Sequence, residues 1–199
     1  TEILDPVCRA IEQAGLAVKG VTKSGGASAS AGIGGMVLVT SHGFSGAYLG
    51  SRHGISMMAI AGEGTGMERD YEFSSKTHAA DLDSPEHVGK VAGERTVKRV
   101  NPRKISTRKV PVIFDPRVAG SLVGHLASAA NGASVARKSS FLREKMGARI
   151  FAPGIRIIDD PHIVRGQRSH PFDGEGVSGH KLAIIDDGIG MDAQQLAQL

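Results

Sequence analysis

MVLVTSHGF (36–44), SGAYLGSRHG (45–54), ISMMAIAGEG (55–64) and MERDYEFSSKTHA (67–79) follow one another almost without interruption. Short apolar runs at roughly ten-residue spacing, with glycines at their junctions, are the signature of a sheet folded on itself. The Ser41-His42-Gly43 step closes the first run as a turn. Val18, Val21, Ala27, Ala29 and Ala31 alternate with small or polar residues just upstream and extend the pattern as a strand or irregular hairpin. This stretch predicts an antiparallel β meander.

Helical signals flank it. Ile3, Leu4, Val7, Ile11 and Ala14 recur at helical spacing, Pro6 suits a first turn, and Gly15 ends the pattern. In DLDSPEHVGKVAGERTVKRV (81–100), Ser84 reads as an N-cap, Pro85 as the first helical residue and Glu86 as a first-turn acid. Val88, Val91, Ala92 and Val97 then form an apolar face. Downstream, NPRKISTRK (101–109) reads as an exposed basic loop and KVPVIFDP (109–116) as a buried strand. VAGSLVGHLASAANG (118–132) reads as a buried small-residue helix stopped at Asn131-Gly132, and SFLREKMG (140–147) as a short amphipathic helix. Two short strands are expected around Pro153-Gly154, then a polar loop (162–179), a strand at 181–188 and a helix from Met191. The fold class is α+β: an antiparallel meander with flanking helices over 1–109, then a second mixed α/β segment over 110–199 that begins a C-terminal domain.

Composition narrows the function classes. The chain has 199 residues, 27 of them Gly, and that glycine content argues against a helix bundle. A single Cys excludes an internal disulfide framework and a Cys-rich zinc module, in keeping with a cytoplasmic protein. No apolar run approaches the roughly 20 residues of a membrane span. Net charge is +4 but uneven: residues 90–149 hold 14 Lys and Arg against 3 acids. That stripe could meet phosphates or an acidic surface, yet it has no interleaved aromatics and no nucleic-acid motif.

The usual catalytic patterns do not fit. SGGASASAGIGG (24–35) and GEGTG (62–66) lack the Lys-Ser/Thr of a phosphate loop. GFSGA (43–47) has Ala47 where a nucleophile elbow needs Gly. No two of the eight histidines stand at i+3 or i+4. His125, in an apolar helix, reads as a core or interface residue. The densest polar cluster comprises Asp159, Asp160, His162, His170, Asp173 and Glu175. Those groups could bind a divalent ion or exchange protons. Equally, the aspartates could cap turns and pair with Arg165 and Arg168.

VPVIFDPRVAGSLVGHLASAANGASVARKSSFL (110–142), FAPGIRIIDDP (151–161) and RSHPFDGEG (168–176) resemble the PmbA (TldE) branch of the TldD/PmbA family, bacterial proteins once called modulators of DNA gyrase and regarded as metallopeptidase components. The Ser-x-Gly-Phe step at 41–44 and DLDSPEHVG (81–89) are compatible with it. The resemblance implies two homologous subunits enclosing a chamber. A TldD-like subunit would carry zinc on an H-E-x-x-x-H helix, its Glu activating water. Here that window falls on Gly124-His125-Leu126-Ala127-Ser128-Ala129: Gly124 and Ala129 stand at the ligand positions and His125 at the Glu position. The expectation is a non-catalytic subunit that binds no cofactor itself and holds unfolded peptide beside a zinc-bearing TldD-like partner. Asp159, Asp160, Arg168, Asp173 and Glu175 are its candidate groove or loop residues. The family's greater length leads us to expect a fragment.

Two other readings stay open on the sequence. One is an active metallopeptidase with a non-standard site from His162, His170, Asp173 and Glu175. The other is a nucleic-acid- or gyrase-associated protein acting through the basic 90–149 region.

Overall fold

The computed structural model describes residues 3–190 and divides into two compact units. The first is built from the chain up to Ile105 together with His162–Gly179. The second comprises Ser106–Pro161 and the chain from His180 onward.

The first unit carries the meander: β1 (Val21–Val39), β2 (Ser45–Ala61) and β3 (Glu68–Lys76), antiparallel in the order β1-β2-β3. Two expected strands on each side of the first turn are single long strands. Gly50 and Gly54 do not break β2, because they sit in register opposite Gly34 and Ser30. The left-handed backbone that turns require occurs at Gly43 (φ 89°) and Gly62 (φ 84°) instead. The turn at 40–44 is as expected, closed by the Thr40 amide donating to the Phe44 carbonyl (3.0 Å).

Helices α1 (Asp5–Leu16) and α2 (Pro85–Arg99) pack together and against the inner half of this sheet. Ile11, Ile55, Met57, Ala59, Val88 and Ala92 form the buried core. Glycines set the crossing. A Cβ on Gly89 would strike the Ile11 carbonyl, and one on Gly93 would lie 2.9 Å from the Gly15 carbonyl oxygen. The α2 start follows the expected signals, with Ser84 Oγ accepting from the His87 amide (3.1 Å). Buried Thr96 links α2 to the sheet: it accepts from the Asp70 amide (3.1 Å) and donates to the Ala92 carbonyl (2.8 Å).

In the second unit, α3 (Pro116–Ala130) is followed by α4 (Gly132–Ala136) and a small sheet of β4 (Ile157–Asp159), β5 (Leu182–Asp186) and β6 (Ile189–Gly190). The β5 strand is where the sequence placed it. Residues 109–115 are not a buried strand: none of them joins a β ladder, and Ile113 is 97% exposed. β-propensity makes a strand only where an edge is available to pair with. Nor is α3 buried throughout, since within it only Leu126 and Ala129 are. Asn131 does stop α3, but its side chain then caps α4 by accepting from the Ala133 amide (3.1 Å).

The expected helix at 140–147 is a series of turns. Ser140 Oγ takes the Leu142 amide (3.0 Å) and donates to the Ala129 carbonyl (2.6 Å), side-chain bonding that competes with a helix too short to nucleate well. Of the two strands expected around Pro153-Gly154, only β4 forms; the other arm gives a single bridge, Arg149 to Ile189. The helix expected from Met191 lies outside the described residues.

Candidate functional site

The polar loop 162–179 is an ordered structure of the first unit. Its ends are tied by the His162 ring, whose Nε2 lies 2.8 Å from the Gly179 carbonyl oxygen. Its first half is strapped to the sheet. Arg165 donates two hydrogen bonds from one nitrogen to both oxygens of Asp81 (2.8 and 2.9 Å), its carbonyl accepts from Thr77 Oγ1 (2.8 Å), and Gln167 donates to the Ser75 carbonyl. Its second half is anchored by buried Phe172, which meets Phe44 and Tyr48 edge-on at 5.0 and 5.3 Å between ring centroids. The Phe172 ring fits because Gly46 beneath it has no side chain. His170 lies against Tyr48 at 5.0 Å.

Asp173 organises the following turn. Its Oδ1 accepts from the Glu175 and Val177 amides, each at 2.9 Å, while its own amide donates to the Val177 carbonyl. These donors, the Val177 amide foremost, hold the Asp173 carboxyl below the usual aspartate range. Glu175 and Arg168 are exposed on the same loop.

The remaining candidates belong to the second unit. Asp159 ends β4, and Asp160 pairs with Lys181 Nζ at 3.0 Å. Arg165 pairs with Asp81, not with the neighbouring aspartates, a partnership 84 residues apart that no local spacing could announce. The non-standard cluster does not converge: His162 is taken by Gly179, His170 stacks on Tyr48 and Asp173 is turned to its own loop. Among the described residues no three His, Cys, Asp or Glu side chains come together. On α3, a Cβ on Gly124 would meet nothing within 4 Å, His125 is exposed, and Ala129 packs inward. Neither Gly124 nor Ala129 has a side-chain donor atom, so this window does not fit a zinc ion.

The basic stretch is partly neutralised. Arg95 pairs with Glu72, Arg99 with Asp70 (3.5 Å) and Glu68 (3.8 Å), Arg117 with Asp115 (3.1 Å) and Arg149 with Asp187 (3.3 Å). No helix among the described residues is long and apolar enough to cross a membrane.

The other feature of note is the β1 edge, which has β2 as its one strand partner among the described residues. Because the Thr40 amide points at β2, alternation along an antiparallel ladder turns the amides and carbonyls of Ala27, Ala29, Ala31, Ile33, Gly35, Val37 and Val39 outward. From Ser24 to Ser51 the chain has no Lys, Arg, Asp, Glu or Pro, the residues that ordinarily protect an edge.

This architecture, a long-hairpin sheet backed by two helices with a second small-sheet unit, is shared with solved structures. A candidate modulator of DNA gyrase from Bacteroides thetaiotaomicron superposes with a TM-score of 0.89 at 23% identity, over 98% of this chain and 46% of that one. TldE from Thermococcus kodakarensis does so with a TM-score of 0.73 at 20% identity, over 92% and 41%. Residues 3–100 match the PmbA/TldA metallopeptidase central domain and residues 107–190 the PmbA/TldA metallopeptidase C-terminal domain, and the chain belongs to this family. Metalloprotease PmbA of Escherichia coli O157:H7 is 42% identical over 94% of this chain, and a PmbA homolog of Haemophilus influenzae is 40% identical over 89%. The chain spans 42% and 40% of the length of those two relatives.

Proposed function

We propose that this chain is the peptide-holding, non-catalytic part of a two-subunit zinc peptidase of the TldD/PmbA type, acting in the cytoplasm. The observation that carries the reading is the open β1 edge. Seven outward-facing backbone positions, uncharged and free of proline, suit the capture of an extended chain by strand addition. Main-chain hydrogen bonds made this way do not depend on sequence, as a protein that handles unfolded peptides requires. The donor chemistry of α3 supports the second half of the reading: with Gly124 and Ala129 at the ligand positions, zinc and the water-activating carboxylate would come from a TldD-like partner.

The loop residues Arg168, Asp173 and Glu175, and Asp159 and Asp160 in the other unit, would shape the chamber wall. Reconstitution tests the proposal. The purified chain should cleave no unfolded peptide alone, and adding a TldD-like subunit should produce cleavage above that of the partner alone. Cleavage by the isolated chain, or no effect of the chain on its partner, would sink it.

A further inference from the structure

A cleft of about 480 Å³ opens on the face of the first unit's sheet where the 162–179 loop is strapped down. Its floor lies on the outer part of the β1–β2 hairpin, where Gly32 pairs with Arg52, Gly34 with Gly50 and Met36 with Tyr48. Strand alternation puts all six on one face. Gly166, Gln167, Ser169 and His170 form one wall, with His170 resting on Tyr48.

The floor glycines need explaining. Gly26 and Gly43 take left-handed backbone, and a Cβ on Gly35, on the opposite face, would strike the Tyr48 carbonyl. Gly32, Gly34 and Gly50 have neither reason. None has positive φ, and a Cβ on any of them would meet nothing within 4 Å. Each weakens its strand relative to a residue with a side chain. What they create is volume and bare peptide planes, bounded by an aromatic pair and a thioether.

We propose that this cleft takes an aromatic side chain from an extended peptide. A flat ring covers exposed peptide planes as aromatic side chains cover glycines within sheets. Tyr48 and His170 offer edge or offset contacts, Met36 a sulfur contact, and Arg52, at the end opposite Met36 and Tyr48, a guanidinium for the ring face. The wall is preformed, because Arg165 on Asp81, Thr77 on the Arg165 carbonyl and Gln167 on the Ser75 carbonyl fix the strap without help from the cleft. The inference rests on the peptide-holding reading and adds a side-chain preference to it. The β1 edge accepts any backbone; the cleft selects which segment registers there.

The probes are a short unstructured peptide with one central Trp and the same peptide with Ala in its place, both dye-labelled and titrated with the purified chain by fluorescence anisotropy. The chain has no Trp, so tryptophan emission reports the peptide alone. The Trp peptide should bind about ten-fold tighter than the Ala peptide, with a blue-shifted emission. Gly34→Val, which fills the floor with a good strand former, should reduce that advantage to about two-fold or less, read as the ratio of the variant's affinities for the two peptides. Gly50→Ala, which adds one carbon into open space, should reduce it in part and serves if the valine variant misfolds. Equal binding of the two peptides, or a Trp preference that survives both substitutions, overturns the cleft inference alone. Binding of neither peptide overturns the peptide-holding reading and this inference with it.

Discussion

Replacing Gly89 by Ala should destabilise the first unit, although alanine is the better helix former by about 1 kcal/mol. Gly89 is buried in α2 where it crosses α1. Its added Cβ would fall on the Ile11 carbonyl oxygen, with the Ile11 carbonyl carbon at 2.9 Å and Ala14 Cβ at 3.0 Å. Backbone atoms cannot turn aside as a rotamer can, so the helices must separate. Separation loosens Ile11, which is 0% exposed, against Val88 and Ala92. Overpacking of this kind costs about 1–3 kcal/mol, and subtracting the propensity gain leaves a net loss of up to about 2.

Both tyrosines, Tyr48 and Tyr71, lie in the first unit's sheet and there is no Trp, so tyrosine emission during urea unfolding follows that unit. The midpoint should fall. The matched control is Gly124→Ala on α3, where the new methyl enters open space: it should lower no transition and can raise one by up to about 1 kcal/mol. A tyrosine midpoint that rises in Gly89→Ala, as helix propensity alone would make it, would refute the close-crossing argument.

Two further outcomes follow from the loop. The Asp173 pKa is depressed, so its bonds to the Val177 and Glu175 amides stabilise the turn above the usual aspartate range and are lost as pH falls through the lowered value. NMR titration should therefore give an Asp173 midpoint below that of an unstructured aspartate, and the Glu175 and Val177 amide shifts should move with it. Phe172→Ala should cost about 3–5 kcal/mol of local loop stability, read as faster amide exchange over the residues that pack with it; unchanged exchange there would mean the ring is not the anchor.

What the sequence disclosed and what it concealed divide along physical lines. Ser84-Pro85-Glu86 was legible because a helix start is written in three adjacent residues, and β5 because five apolar-rich residues flanked by polar ones have few other fates. Glycine was ambiguous. Gly43 and Gly50 look alike in the sequence, yet one turns the chain at positive φ and the other lies flat in a strand opposite a glycine. Val110 to Phe114 carries strand propensity without a pairing edge, and α3 is apolar on faces that nothing described covers. Side-chain partners were the least legible, since Arg165 finds Asp81 and Phe172 finds Phe44 through the fold. The family resemblance was legible over most of the chain, and both family domains match it, over residues 3–100 and 107–190.

The central claim is that this chain supplies no metal centre of its own. Its most direct test is the zinc content of the purified chain after zinc loading and removal of loosely bound metal. The account predicts far less than one zinc per chain, unchanged by His162→Ala or His170→Ala. One tightly held zinc per chain, lost in either variant, would contradict it.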